Sequence, residues 1–466
     1  KHYSFYYYFI KIRIILEMRK ATIYLSIALG LLFYSCQKPN IYLPGEERKN
    51  EAWFEPTPFG MVYVQRGAYL IGPSDDEVLQ TSTPSKTVSA EAFWMDDTEI
   101  TNNEYRQFVY WVRDSIARRL LGETYADFLI TETSRGVPLK EARLNWEEKI
   151  DWKDSEYQMA MEELFIPEGE HFVFNKEIDT RNLVYDYYWV DYKQAAKRQN
   201  SFDFETQSYN GNIINQDGEI TPIENRGTFL MHERIPVYPD TLSWIRDFTY
   251  TYNDPYTMKY FSHVGFDNYP VVGVTWDQAN AFCNWRTNLQ IKYSKRLNET
   301  PAHDYRLPTE TEWELAARGG LNNTIYPWGT YYTRNVQGCF VANFKPLRGN
   351  YVSDSPTTTT AMRTGEFDPN NYGLYDMAGN VAEWTSTAFF EAGYDIIDDI
   401  NPEVQYDAKP DDPAVMKRKV IRGGSWKDIA YFIRTSTRSF EYQDTTKSYI
   451  GFRCVRTSFR NDLQNR

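Results

Sequence analysis

Apolar residues recur along the chain with two different periods, and the switches between them mark its elements. Phe59 to Ile71 alternates around Gly60, Gly67 and Gly72, which predicts a β-hairpin, and Thr87 to Met95 predicts a further strand. At Thr101 the period becomes helical. Thr101-Asn102-Asn103-Glu104 is a capping box, in which the Thr101 hydroxyl and the Glu104 carboxylate each accept from a backbone N–H that the helix leaves unpaired. Behind it Tyr105, Phe108, Val109, Val112, Ile116 and Leu120 share one helical stripe, so the helix is expected to run to about Leu121. A second box, Thr275-Trp276-Asp277-Gln278, opens a helix carrying Ala279, Phe282, Cys283 and Trp285. A third, Thr309-Glu310-Thr311-Glu312, opens a helix that stops at Gly319-Gly320.

Between 122 and 268 the texture differs. Acidic pairs such as Glu147-Glu148 and Glu162-Glu163 alternate with Tyr-rich stretches such as Tyr185-Asp186-Tyr187-Tyr188-Trp189, broken by turns at Asn210-Gly211 and Asp217-Gly218. This large insertion reads either as decorated loops of the surrounding domain or as a surface for a partner. From Val271 to Val455, short strands and Gly, Asn and Pro turns dominate, which predicts an irregular α+β domain.

The start of the chain reads as an address. Residue 1 is Lys, and translation is expected to begin at Met18, with residues 1–17 as upstream sequence. Arg19 and Lys20 precede an apolar run from Ala21 to Tyr34 that is short for a membrane span, and Ser35-Cys36 follows. A charged start, a short apolar run and a small residue before a break form a secretory signal. Cleavage before Cys36 would leave an N-terminal cysteine for acylation, as in bacterial lipoproteins; the alternative is an ordinary signal peptide with a chance cysteine. Residues 36–57, polar with Pro39 and Pro44, read as a tether to a lipid anchor.

Composition narrows the function classes. Hydrophobic residues make up 42% and charged residues 25%, which is globular rather than disordered. Lys+Arg number 51 against 64 Asp+Glu, a net charge of -13, so nucleic acid is excluded as a partner class. Aromatics reach 17%, which suits either packed interfaces or a Tyr-rich core. Only 4 cysteines are present, too few for a disulfide framework, and acylation of Cys36 would leave the odd set Cys283, Cys339 and Cys454. No CxxC, HExxH, GxSxG or GxxxxGK[ST] occurs, which argues against zinc, acyl-transfer and nucleotide chemistry.

Several ordered blocks together resemble the formylglycine-generating enzyme (sulfatase-modifying factor) domain. They are Met61-Val62-Tyr63-Val64 with Gly67, Phe93-Trp94-Met95-Asp96, Thr98-Glu99-Ile100-Thr101-Asn102, and Tyr269 to Trp276. Tyr305 to Glu314, Tyr372 to Trp384, Arg422-Gly423-Gly424-Ser425-Trp426 and Gly451-Phe452-Arg453-Cys454 follow in family order. The resemblance implies an irregular, C-type-lectin-like α+β fold over 58–456, interrupted by the insertion at 122–268, with 457–466 as a tail. It does not carry the activity across. Family enzymes hold copper and activate O₂ with a reactive cysteine pair after the Arg-Gly-Gly-Ser-Trp block, and those positions are Ala430 and Thr435 here. Neither a methyl group nor a hydroxyl replaces a soft thiolate ligand, so no copper is expected.

The resemblance also implies structural sites. One calcium ion would be held by the side chains of Asp376 and Glu383 and the carbonyls of Gly379 and Val381, hard oxygen ligands on a tight turn. A second would use Asn343, the Phe344 carbonyl and Asp354. The other reading of both is a hydrogen-bonded turn. Cys283 and Cys454 stand where family members carry a disulfide, the alternative being two buried thiols. Any surviving enzymatic site would lie near Arg434, Arg438, Ser436 and Trp426, where no nucleophile–base pair stands out.

Within that family, the signal, the Asp97 to Val109 block, the long insertion and the tract Tyr238 to Phe248 resemble gliding-motility lipoproteins of the GldK (PorK) type. This implies a non-catalytic ring component of the type IX secretion machinery, lipid-anchored on the periplasmic face of the outer membrane, self-associating and partnered by a GldN (PorN)-like periplasmic protein. The alternatives are a GldJ-type motility lipoprotein, an active formylglycine-generating-type oxidase, and a lectin-like glycan binder.

Overall fold

The computed structural model describes residues 55–73, 85–133, 135–170, 176–215, 218–346 and 361–459. The segment read as signal and acylation site, with Cys36, lies outside them. Strand β1 (Met61–Val64) is followed by β2 (Gly67–Ile71), β3 (Lys86–Ala90) and β4 (Phe93–Asp96). The expected hairpin across 59–71 does not form: β1 pairs antiparallel with β4, and β2 with β3. A two-residue hairpin needs positive φ in its turn, and neither Gln65 nor Arg66 adopts it. The strands diverge instead, burying Val64 with Phe93 and Met95, and Ile71 with Val88 and Tyr394. The expected single strand over 87–95 is likewise two strands, interrupted at Glu91-Ala92.

All three capping boxes form. Helix α1 (Asn102–Thr124) starts with the Thr101 hydroxyl accepting from Glu104 N and the Glu104 carboxylate accepting from Thr101 N. It ends at Thr124, slightly beyond the expected Leu121. In the insertion, β5 (Val184–Val190) pairs antiparallel with β6 (Leu230–Pro236), followed by the short helices α2 (Ser243–Asp247) and α3 (Asp254–Lys259). Helix α4 (Trp276–Leu297) and helix α5 (Glu310–Arg318) flank β7 (Tyr305–Arg306). Gly319 closes α5 at φ 57°, a left-handed conformation that favours glycine.

Two four-stranded sheets organise the remainder. The first has the order β1-β4-β12-β7, where β12 is Val455–Thr457 at the end of the fold. The second joins β8 (Ala382–Ala388), β9 (Arg418–Arg422), β10 (Ser439–Tyr442) and β11 (Ile450–Gly451) in the order β10-β9-β8-β11. The unit begins earlier and ends later than the expected 58–456. Glu55, placed in the tether by sequence, pairs with Arg456 at 2.8 Å and accepts from Trp94 and Ser458.

The insertion folds onto the domain. Its Phe128, Met161, Leu164, Leu183, Tyr185, Tyr187 and Val237 share one buried cluster with Phe108 and Val109 of α1 and Phe282 of α4. Tyr105 stacks on Phe282 at 5.6 Å, and Phe108 meets Tyr185 edge-on at 5.2 Å. The inner face of the insertion is therefore core of the surrounding domain, while Tyr188, Tyr192 and Leu230 remain exposed.

Docking β6 against α4 leaves one electrostatic cost. Asp277, in the first turn of α4, is pushed up to about 7, chiefly by burial, with Glu233 of β6 and Asp407 adding and Lys419 opposing. A carboxyl whose folded pKa is raised contributes stability fully only below its unfolded value, and that contribution is lost as pH rises through about 7. Asp277→Asn should remove this dependence, gaining about 1–2 kcal/mol over the parent at pH 8 and little at pH 4. Thermal midpoints of both chains between pH 4 and 8 test this, and a gap independent of pH would refute it.

Candidate functional site

The turn that follows β9 decides whether family chemistry survives. Gly423 and Gly424 adopt φ 87° and 65°, and a Cβ on Gly424 would sit 2.6 Å from the Phe432 carbonyl oxygen. Only glycine allows the segment 425–438 to fold back this closely. Ser425 pins it by donating to Asp428 from both its amide and its hydroxyl. Ala430 packs against the cluster of Tyr326, Phe340 and Ile433, and its carbonyl accepts from Tyr326 Oη at 3.0 Å. Thr435 is fully buried. Its Oγ1 lies 2.9 Å from the Thr324 carbonyl and 3.1 Å from that of Ile325, so the hydroxyl proton is shared between main-chain acceptors. With its proton held by backbone carbonyls, Thr435 is a structural tie and not an activated nucleophile.

The four residues expected near a surviving site face different surroundings. Arg438 donates to Glu310 and to the Phe390 carbonyl, and the Arg434 guanidinium lies over the Tyr431 ring at 4.8 Å. The Ser436 carbonyl accepts from Arg422 at 3.0 Å. Trp426 is buried and stacks on Trp244 of α2, with Phe248 also against it at 5.2 Å. Insertion residues thus cover the Trp426 ring.

The Asp376–Glu383 block forms a buried polar cluster with two members that sequence reading did not assign to it. Glu383 and Arg453 are both fully buried. Glu383 accepts from Arg453 Nε at Oε2 and from Arg453 Nη2 at Oε1, both at 2.7 Å, and from Trp313 Nε1 at 2.7 Å. Asp376, at φ 55°, accepts from Gly365 N at 2.6 Å. Glu99, also fully buried, accepts from Asn380 Nδ2 through Oε1, while its Oε2 meets no donor among the described residues if both acids are ionised. One proton held between Glu99 and Asp376 resolves this. Burial first, and the facing carboxylate second, push Glu99 well up; burial chiefly pushes Asp376 up to about 6.

A calcium ion needs several converging oxygens free to ligate it. Glu383 spends both oxygens on Arg453 and Trp313, and Gly379 packs so closely on Asn343 that a Cβ there would lie 2.4 Å from the Asn343 carbonyl oxygen. Among the described residues, no three Asp, Glu, His or Cys side chains converge as a metal site. The set Asp376, Gly379, Val381 and Glu383, as placed, therefore does not fit calcium; the Arg453 guanidinium balances Glu383, and the proton shared with Glu99 leaves the Asp376 pair a single negative charge. Of the second set, Asn343 is buried and donates to Asn380, Phe344 is buried against Phe340, and Asp354 lies outside the described residues. Glu99 stood in the Thr98 to Asn102 block, where an acid directly before a buried isoleucine was the available signal.

Cys283 and Cys454 stand as two buried thiols with their Sγ atoms 3.5 Å apart, and Cys339 is an exposed thiol. Oxidation is expected to join the first pair, stabilising the fold by about 2–4 kcal/mol relative to the reduced chain. Non-reducing peptide mapping should recover a Cys283–Cys454 linked peptide, and free thiols at both positions after oxidative purification would refute this. Among the described residues, no helix is long and apolar enough to cross a membrane.

A profile of the sulfatase-modifying factor enzyme 1-like domain matches residues 49–458. The inactive C-alpha-formylglycine-generating enzyme 2 of Mus musculus is 34% identical over 197 residues, 41% of this chain and 50% of that protein. The formylglycine-generating enzyme of Mus musculus is 33% identical over 198 residues, 40% of this chain and 44% of that protein. The chain spans about half the length of these curated relatives. PvdO from Pseudomonas aeruginosa superposes with a TM-score of 0.42 at 16% identity, covering 85% of this chain and 94% of PvdO. With a profile match across nearly its whole length, the chain belongs to the sulfatase-modifying factor enzyme 1-like domain family and has the α+β fold of the formylglycine-generating type.

Proposed function

We propose that this protein is a non-catalytic scaffold of the GldK (PorK) type. In this reading it is lipid-anchored through Cys36 to the periplasmic face of the outer membrane. It assembles with further copies and with a GldN (PorN)-like partner into a ring of the type IX secretion and gliding-motility machinery. The observation that carries the reading is the state of the reactive-cysteine positions: Ala430 is packed and Thr435 is buried with its hydroxyl donating to main-chain carbonyls. A family domain without its copper thiolates keeps a large, rigid surface and loses the oxidation. The relative named as an inactive enzyme shows that this fold occurs under such a description elsewhere. Trp244 and Phe248, from the GldK-like tract, cover Trp426 and commit the insertion to building surface rather than lining an open cleft.

The test is a mild-detergent pull-down of the tagged chain from its own cells, followed by mass spectrometry and negative-stain imaging. Recovery of a GldN-like protein in large annular particles is the expected result. A monomer recovered without partners would overturn the scaffold. Copper-dependent oxidation of a sulfatase peptide by the purified chain would overturn the non-catalytic assignment.

A further inference from the structure

A cavity of about 430 Å³ opens where the insertion meets the domain, and none of its walls belongs to the turn after β9 or to the Asp376–Glu383 cluster. That size suits a small ligand. Its floor includes the Trp276 indole, with the Lys419 ammonium 3.7 Å from the ring centroid. Lys419 is buried, and its one hydrogen-bond partner among the described residues is the Tyr406 carbonyl at 2.6 Å, which leaves two N–H donors unused. A second ammonium, Lys193 from the insertion, lines the same cavity and makes no hydrogen bond or ion pair among the described residues. Burial brings Lys419 down to about 8, with Asp407 and Asp277 opposing and Lys193 adding a smaller repulsion.

Acceptors complete the wall. Glu403 takes the Ser386 hydroxyl on Oε1 at 2.5 Å, while Oε2 has no partner among the described residues. Arg306 is already neutralised by a bidentate pair with Glu312. Asp407 and Asp277 act on Lys419, and Glu403 on Lys193, from beyond ion-pair distance, so the unused N–H donors of Lys419 remain for an anion to meet. Glu91, Glu312, Glu403 and Asp407 around the same cavity oppose a multiply charged one, so a phosphate group is disfavoured. A monoanion with its own donor answers both demands.

We propose that this cavity binds a small carboxylate carrying a neighbouring N–H donor, the chemistry of a peptide C-terminus or of a free dipeptide. The carboxylate sits between Lys193 and Lys419, and the N–H group donates to Glu403 Oε2. Charge-assisted bonds of this kind supply most of the orientation in such a pocket.

The test uses the purified full chain with three probes: L-alanyl-L-alanine, its N-acetyl derivative and its C-terminal amide. Saturation-transfer NMR and calorimetry would read binding at millimolar concentration. Saturable binding of a carboxylate probe is expected, with the amide at least about tenfold weaker. Lys193→Ala and Glu403→Gln should each weaken binding by about threefold to tenfold, at positions open enough for the fold to survive. Equal binding of the acetylated probe identifies a chain end as the source, and a requirement for the free amine identifies a free dipeptide. No saturable binding of either carboxylate probe, an amide that binds equally, or two folded variants that bind like the parent would each overturn the proposal.

Discussion

Glu383→Ala is expected to destabilise the fold by about 3–5 kcal/mol, the loss typical of stranding one partner of a buried ion pair. Neither side chain reaches solvent, and Arg453 places two of its nitrogens on the Glu383 carboxylate. The remaining Arg453 contacts are the carbonyls of Asp96, Asp97 and Tyr375, which orient the guanidinium without balancing its charge. The substitution also strips the Trp313 indole N–H of its acceptor. Burial pairs the loss of the carboxylate with a guanidinium that cannot shed its proton, so the penalty is paid in stability. Glu383→Ala combined with Arg453→Met should cost less than the sum of the two single substitutions, because the double variant leaves neither member of the ion pair without its partner. Urea unfolding followed by circular dichroism reads each value. A single-variant loss below about 1 kcal/mol would show that water reaches the pair, against the geometry described here.

The same cluster separates what a single sequence reveals from what it hides. The three capping boxes were legible because a box is closed within four residues, and each forms as read. The strand pairings were not. Gly67 and its neighbours look like a hairpin until the turn dihedrals are known, and β1 finds its partner in β4 instead. Asp376 and Glu383 were legible as a functional block. The groups that decide its chemistry are Arg453, 70 positions from Glu383, and Glu99, 281 positions from the Asn380 that binds it. Separation of that size leaves no periodic trace. The insertion shows an intermediate case: alternation in Val184–Val190 was visible, but which face is core depended on Phe108 and Phe282 arriving from elsewhere. Ala430 and Thr435 were legible as substitutions, whereas the donation of the Thr435 hydroxyl to Thr324 and Ile325 required the fold.

Under the scaffold function proposed above, replacing Tyr250 and Tyr252 together by serine is expected to abolish recovery of a GldN-like partner while leaving the fold intact. The segment from α2 to α3 has two sides. Trp244, Tyr256 and Tyr260 turn inward, with Trp244 stacked on Tyr256 at 5.1 Å and held against Trp426. Tyr250 and Tyr252 turn outward, with relative exposures of 104% and 82%, and Leu242, Met258 and Val264 of the same segment are also exposed. Aromatics anchored on a rigid base and left open to water are the residues that dominate protein interfaces. Because they touch little of their own fold, their loss should change stability by no more than about 0.5 kcal/mol. Loss of two such anchors from a partner surface weakens association by about a hundredfold, enough to empty a pull-down. Thermal melting of the purified variant checks the first half, and the detergent pull-down checks the second. Partner recovery equal to the parent, from a chain that melts normally, would move the partner surface away from this segment. The exposed Tyr188 and Tyr192 near β5 would then be the next face to substitute.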